Sequence, residues 1–265
     1  MLKFKEISSK DNANIKLCRK LSDSRKARRE QGLFLLEGAR LVCDALKENA
    51  ELHLVFFTRT ALEKAENGEG KYGEALNLPD GVPRFVIPDE LGEKISGTEG
   101  TQGVFAVCKI PSAVNEMISG GKYVVLHTLQ DPGNMGTVIR TADALGVDGV
   151  ITVGCCDLYN PKTVRSAMGA LLRVNVMEMS EEEMFDALRS KGIKTCAAVI
   201  DRHAVSVKEC DFSSGAAVII GNEGSGLPRE TAEKCDERIT IKMHGTADSL
   251  NAAAAASILM WELMN

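Results

Sequence analysis

Aromatic residues make up only 5% of the 265 residues, with one Trp and three Tyr, and proline contributes seven positions. With 44% hydrophobic and 26% charged residues, the composition is otherwise that of a globular protein. No apolar run approaches the length that crosses a bilayer. The amino terminus, "MLKFKEISSKDNANIK", lacks the apolar segment and small-residue cleavage site of a secretory signal. Eight cysteines are present, at 18, 43, 108, 155, 156, 196, 210 and 235, without a Cys-x-x-Cys pair. That usage fits buried thiols in a reducing cytoplasm better than a disulfide framework. The four histidines, His53, His127, His203 and His244, stand apart from each other and from the cysteines, so the close ligand spacings of a zinc site are missing and no metal is expected. The net charge of −5 argues against a protein coated in nucleic acid, while leaving room for a local basic patch.

Such a patch is present near the start. "KLCRKLSDSRKARRE" places seven cations between Lys16 and Arg29 (Lys16, Arg19, Lys20, Arg25, Lys26, Arg28, Arg29) against one acid, Asp23. Leu17 and Leu21 are four apart, which suggests a helix with one apolar stripe and a basic remainder. This is either a solvated helix face or an arm whose cations displace counterions from a nucleic-acid backbone. Up to Lys109 the pattern mixes α and β. Ala39, Val42, Ala45 and Leu46 share a helix face, "LHLVFFT", "PRFVIP" and "TQGVFAVCKI" are strand-like, and "ENGEGKYGEALNLPDG" is expected to be a polar loop.

After a boundary in "PSAVNEMISGGK", strands and helices alternate. "YVVLHTL", "GVITVG", "KTCAAVI", "AAVIIG" and "RITIKM" are near-continuous apolar strands. "TVIRTADALG" is a helix ended by Gly146, "NPKTVRSAMGALLRV" runs from helix into strand, and Ser180 with Glu183 forms a capping box before "MFDALRSKG". "SLNAAAAASILMWELM" closes the chain as a helix, with Asp248 or Ser249 as its cap and Asn251 in its first turn. The expected fold class is α/β, with a mostly parallel sheet covered on both faces.

The stretch "AAVIIGNEGSGLPRE" ends a strand in three glycines around Glu223. Gly221, Gly224 and Gly226 give G-x-x-G-x-G, the wrong order for a dinucleotide turn, and Leu227-Pro228 replaces the Lys-Ser/Thr of a P-loop. A carboxylate at the centre would also repel phosphate. Two further polar turns follow apparent strands: "LQDPGNMGTVIRTADALG", with Asn134 and Arg140, and "IKMHGTADSLNAAAAAS", with Ser249 and Asn251. Alone, Arg140 is either a surface charge or a placed anion contact. All three turns lie at carboxyl ends of strands, where ligands sit in open α/β sheets. Their polar inventory contains no Ser-His-Asp set, carboxylate pair or metal set, and so suits a reaction whose reactivity comes from a cofactor.

In order and separation, "DPGNMGTVIRTADALGVDGV", "VIIGNEGSGL" and "ITIKMHGTADSLNAAAA" resemble motifs 1, 2 and 3 of the SpoU (TrmH-like) RNA 2′-O-ribose methyltransferases of the SPOUT superfamily. "YNPKTVRSAMGAL" matches the family's segment between motifs 1 and 2, and the similarity spans roughly residues 121–265. "FLLEGARLV" and "TQGVFAV" resemble the family's small substrate-binding domain, related to a ribosomal-protein RNA-binding fold. The resemblance implies a basic arm and RNA-binding domain over 1–110, a linker over 111–121 and a methyltransferase domain over 122–265 whose carboxyl-terminal part threads a trefoil knot. It implies S-adenosylmethionine as cofactor, contacted at Gly221, Ile241 and Leu250, and places Asn134, Arg140, Glu223, Ser249 and Asn251 near the reaction centre. Arg165 joins the seven arm cations as an expected RNA contact.

The family assigns its motif 1 arginine, here Arg140, as the base. A guanidinium is charged up to a pKa of about 12 or beyond and has no acceptor, so a phosphate grip with stabilisation of the forming alkoxide is the better physical reading. A homodimer is implied, and apolar residues of the last helix remain for that contact. The stretch departs from the family at "SLNAAAAAS", where Val usually follows "SLN". An added amino-terminal module and a basic arm favour ribosomal over transfer RNA. A transfer-RNA enzyme and a non-catalytic RNA-binding assembly factor are the alternatives; an oxidoreductase is disfavoured by the glycine spacing.

Overall fold

A computed structural model describes residues 4–96, 100–112 and 116–265; residues 113–115 of the expected linker lie outside them. The chain divides into two compact units, one comprising residues 1–112 and 159–172, the other 113–158 and 173–265. The first unit thus takes in a stretch from between motifs 1 and 2.

In the first unit, strands β1 (Lys5–Glu6), β2 (Leu33–Glu37), β3 (Leu52–Thr58), β4 (Arg84–Ile87) and β5 (Val104–Lys109) form a mixed sheet in the order β1-β4-β3-β5-β2. The first three in that order are parallel, and β5 is antiparallel to both β3 and β2. Helices are α1 (Ala13–Asp23), α2 (Arg25–Gln31), α3 (Ala39–Lys47), α4 (Arg59–Glu66), α5 (Gly70–Glu74), α6 (Asp89–Ser96) and, from the inserted stretch, α8 (Pro161–Ala167). Ile15, Cys18 and Leu21 of α1 join Leu91 and Ile95 of α6 over Leu54, Phe56 and Phe105 to form the core on one face. Alternation sends Phe34 to the other face, where its ring lies 4.9 Å from that of Tyr159.

The basic segment is two helices, where the sequence suggested one. Ser24 adopts an extended conformation and its hydroxyl accepts from the Ala27 amide, so it ends α1 and caps α2. The expected polar loop contains the end of α4 and all of α5.

In the second unit, β6 (Lys122–His127), β7 (Gly149–Val153), β8 (Val176–Glu178), β9 (Lys194–Ala198), β10 (Val205–Ser206), β11 (Ala216–Ile220) and β12 (Glu237–Thr240) form a sheet in the order β10-β12-β9-β11-β6-β7-β8. Every pairing in it is parallel. The apolar runs predict this, because a strand buried on both faces has no polar side: all five residues of β11 are buried. Its helices are α7 (Pro132–Leu145), α9 (Glu181–Ser190), α10 (Arg229–Glu233) and α11 (Ala252–Met264). Met184, Phe185 and Leu188 of α9 pack on Tyr123, Val125, Ile151 and Ile219, while α11 packs against α7, β11 and β6.

The ends of the helices follow their sequences. Pro132 opens α7 behind Asp131, whose carboxylate accepts from the Asn134 amide at 2.8 Å, and left-handed Gly146 closes it. The Ser180–Glu183 capping box is complete. The cap of α11 is Asn251, not Asp248 or Ser249: its side-chain oxygen accepts from the amides of Ala253 and Ala254. Among the described residues no helix is long and apolar enough to cross a membrane.

Candidate active site

Parallel strands bring the turns after β6, β9, β11 and β12 to one edge of the sheet. The turn after β11 is closed by a bridge between Asn222 and Gly226, each amide donating to the other's carbonyl at 3.0 Å. A Cβ on Gly221 would lie 2.1 Å from Gly226 C and Leu227 N, so the loop folds back only over a glycine.

Glu223 reaches across to the turn after β6. Its Oε1 accepts from the Asp131 amide at 2.9 Å and from Asn134 Nδ2 at 3.2 Å, and Oε2 accepts from the Gln130 amide at 3.1 Å. These amides precede α7, where a helix attracts an anion. The carboxylate therefore occupies the place a phosphate would seek. Burial pushes the Glu223 carboxyl up, but the Asp131 and Gln130 amides and Asn134 outweigh it, and the net shift is downward. Asn222 ties the same two turns, its Nδ2 donating to the Thr128 carbonyl at 2.9 Å. Thr128 holds φ at +58°, in the left-handed region, which is rare for a β-branched residue.

The third turn joins through asparagines. Because Asn251 Oδ1 caps α11, its Nδ2 faces outward and donates to Asn134 Oδ1 at 3.1 Å. That leaves Asn134 Nδ2 to donate to Glu223. A relay Asn251–Asn134–Glu223 thus links motifs 3, 1 and 2, which lie 89 and 117 residues apart along the chain in its two bonds.

Beside the relay lies a cleft of about 830 Å³, open solvent at its mouth included, walled by the turns after β9, β11 and β12 and by α11. Gly221, Ile241 and Leu250, the expected cofactor contacts, all line it, as do Glu223 and Ser249. Ala198, Val199 and Ile200 line it too; sequence reasoning missed them, since an apolar strand end carries no mark of a ligand. No Lys, Arg or His is among its described lining residues.

Arg140 is exposed on α7 and lines neither the cleft nor the relay. Its guanidinium has no hydrogen-bond or ion-pair partner among the described residues.

The structure corrects one expected RNA contact. Arg28 is 3% exposed. Its guanidinium turns inward and donates to the carbonyls of Leu21 and Ser22 at the end of α1, the latter at 3.0 Å. It is a strut of the α1–α2 corner. Lys16, Arg19, Lys20, Arg25, Lys26 and Arg29 are exposed, with Lys16 near Asp11 at 3.0 Å and Lys26 near Glu30 at 3.7 Å. Arg165 donates to Glu37 at 3.1 Å inside the first unit. No group of three or more His, Cys, Asp and Glu with metal-holding geometry occurs among the described residues.

A parallel sheet whose terminal turns are knitted by polar side chains beside a cleft defines an α/β protein with a candidate ligand site at the strand ends. The signature of the SpoU rRNA methylase family matches residues 121–261, and that of the MRM3-like substrate-binding domain matches residues 12–106. The chain belongs to the SpoU rRNA methylase family. It is 33% identical to the 23S rRNA (guanosine(2553)-2'-O)-methyltransferase RlmP of Bacillus subtilis (strain 168), covering 98% of this chain and 99% of that protein. It is 32% identical to the 23S rRNA (uridine(2479)-2'-O)-methyltransferase of Streptomyces viridochromogenes, over 95% and 89% of the two chains. The crystal structure of an AdoMet-bound rRNA methyltransferase from Sinorhizobium meliloti superposes with a TM-score of 0.85 at 29% identity, covering 98% of this chain and 97% of that one.

Proposed function

We propose that this protein transfers a methyl group from S-adenosylmethionine to a ribose 2′-hydroxyl of ribosomal RNA. The observation that carries this reading is the cation-free cleft joined to the relay at the strand ends. With no Lys, Arg or His among its described lining residues the cleft gives a phosphate-bearing cofactor no cation, whereas its apolar walls suit an adenosyl group and Glu223 suits a sulfonium. The bound cofactor supplies an activated methyl whose transfer discharges the sulfonium. This chain's residues then have to align the hydroxyl and manage its proton.

Asn134, Asn251 and Glu223 spend their hydrogen bonds on one another and on backbone, so we assign them to holding the three turns in place. Arg140 has its donors free to grip the phosphate next to the target ribose and steady the forming alkoxide. A guanidinium offers no acceptor for the hydroxyl proton while it grips a phosphate, so we assign it no role as base. Ser249, at the cleft and without a side-chain partner among the described residues, is the hydroxyl left to meet substrate. Gly221, Ile241 and Leu250 are assigned to the cofactor.

Residues 1–110 form the RNA-binding part, with Lys16, Arg19, Lys20, Arg25, Lys26 and Arg29 as the contacting arm, residues 111–121 the linker and 122–265 the methyltransferase part. Arg165, bound to Glu37, is kept as an RNA contact only in exchange for that pair. A trefoil knot is supported by the chain's path: it leaves β12, on the far side of β9, and returns to lay α11 on β11 and β6. Ile258 and Trp261 of α11 are 38% and 58% exposed, and we assign them to a homodimer contact. The cytoplasm is the proposed location.

The test is methyl transfer from labelled S-adenosylmethionine to unmodified ribosomal and transfer RNA, with nucleosides identified by mass spectrometry. A 2′-O-methyl nucleoside from ribosomal RNA alone is expected. Transfer to transfer RNA alone would overturn the substrate class, and cofactor binding without transfer to either would favour an RNA-binding assembly factor.

A further inference from the structure

On the α9 side of the sheet, away from the relay, a second polar cluster has no place in the chemistry above. His127, the last residue of β6, is 5% exposed, and its Nε2 lies 2.8 Å from Glu181 Oε2. Thr231 Oγ1 donates to the same oxygen at 3.0 Å, and Lys234 Nζ donates to Oε1 at 2.6 Å. Glu181 is the first residue of α9, held by the Ser180–Glu183 capping box, and a carboxylate is favoured there by the helix dipole.

These partners have a particular place in the chain. The residue after His127 is Thr128, whose strained backbone starts the turn carrying Gln130 and Asp131. Thr231 lies in α10 and Lys234 caps its end, and α10 directly follows the glycine turn carrying Glu223. One carboxylate therefore holds the roots of both turns, while Glu223 and Asn222 join their tips. His127 Nδ1 is buried without a hydrogen-bond partner. A ring that leaves one nitrogen unmatched is oriented by the bond its other nitrogen makes.

We propose that His127, Glu181, Thr231 and Lys234 are positioning residues that fix the turns after β6 and β11 in mutual register, so that the Glu223 carboxylate meets the Gln130 and Asp131 amides. The proposal rests on the methyltransferase reading for its effect on turnover, but not for its effect on geometry. If the roots shift, the tip contacts loosen and Asn134 loses its acceptor, while the cleft between the turns after β9 and β12 keeps most of its walls. Turnover then falls more than cofactor affinity.

Two measurements on the full chain decide it. By NMR, His127→Leu should speed hydrogen exchange at the Gln130 and Asp131 amides by about tenfold, with the β11 amides unchanged. By steady-state methyl transfer, the same variant should lose about tenfold or more in kcat with KM for cofactor within about threefold. His127→Gln, which keeps a donor at the Nε2 end, should restore both. Lys234→Met acts on a side chain 58% exposed, so it leaves folding intact and carries the test if His127→Leu does not fold; a loss of about threefold to fivefold in kcat, with faster exchange at the same two amides, is expected. Unchanged exchange at Gln130 and Asp131 in the folded variants, faster exchange spread evenly over all amides, or failure of His127→Gln to restore would each overturn the proposal. Absence of methyl transfer by the unmodified chain would sink the functional reading instead, and the exchange rates would still decide this one.

Discussion

Arg140 and Gly221 concentrate two different demands in single residues. Arg140 is an exposed cation on a helix whose guanidinium makes no hydrogen bond or ion pair among the described residues, which fits a side chain kept for a ligand. If it grips a phosphate through two donors, Arg140→Lys keeps the charge but not the fork, and kcat/KM should fall by about tenfold to a hundredfold with cofactor affinity unchanged. Near-normal turnover in that variant would show that a point charge is enough. Gly221→Ala puts a methyl group 2.1 Å from backbone that cannot move without opening the Asn222–Gly226 bridge. The expected cost is about 2–3 kcal/mol in urea unfolding, with cofactor binding lost even in the folded fraction. Retained binding by calorimetry would mean that the loop reopens without harm to the cleft.

At the scale of the element, what could be read from the sequence was whatever is set locally. The apolar runs of β6, β7, β9 and β11, the Gly146 stop and the Ser180–Glu183 box depend on neighbours within a few residues, and the structure has them where the pattern puts them. One local signal was missed: Ser24 satisfies two helix ends at once, which splits the basic segment and turns Arg28 under the carbonyls of α1. Long-range demands were not legible. Asn251 caps α11, two or three residues later than expected, while its other end serves Asn134, 117 residues away. The convergence of the three turns could be inferred from their positions after strands, but the bonds that join them could not. Nor could the partnership of His127 with Glu181, separated by 54 residues.

That partnership has a pH signature. Burial would raise the Glu181 carboxyl, but the hydrogen bonds of Lys234, His127 and Thr231, with the charge of Lys234, bring it from 4.5 down to about 2. A depressed carboxyl stabilises the fold above its unfolded value, and that stabilisation is lost as pH falls through 4.5 toward 2. The shift amounts to about 3 kcal/mol at neutral pH. Glu181→Gln should therefore lower unfolding free energy by about that much at pH 7, with the gap to the unmodified protein narrowing steadily below pH 4.5. A gap that stays constant with pH would show that the loss is one of packing, not ionisation.

For the molecule as a whole, the exposed face of α11 is the feature that its own fold leaves unfinished. Ile258 and Trp261 stand out from a helix that buries Leu259, Met260 and Leu263. A large apolar side chain left in water marks a contact surface when it has a neighbour of its kind. If that contact is a second copy, Trp261→Asp should yield a monomer by sedimentation while leaving the far-UV spectrum unchanged. A dimer that persists would place the interface elsewhere.

The cleft without a cation has a consequence for how the two ligands respond to ionic strength. Nothing in it releases counterions, so affinity for S-adenosylmethionine should be nearly flat from low to high salt. RNA affinity should instead fall steeply, with a log–log slope of about −0.7 for each phosphate engaged on a single strand, up to about six such contacts if every exposed cation of the arm takes part. A salt titration therefore separates two binding events that methyl transfer reports as one. At concentrations where the RNA has left, the enzyme should still be loaded with its methyl donor.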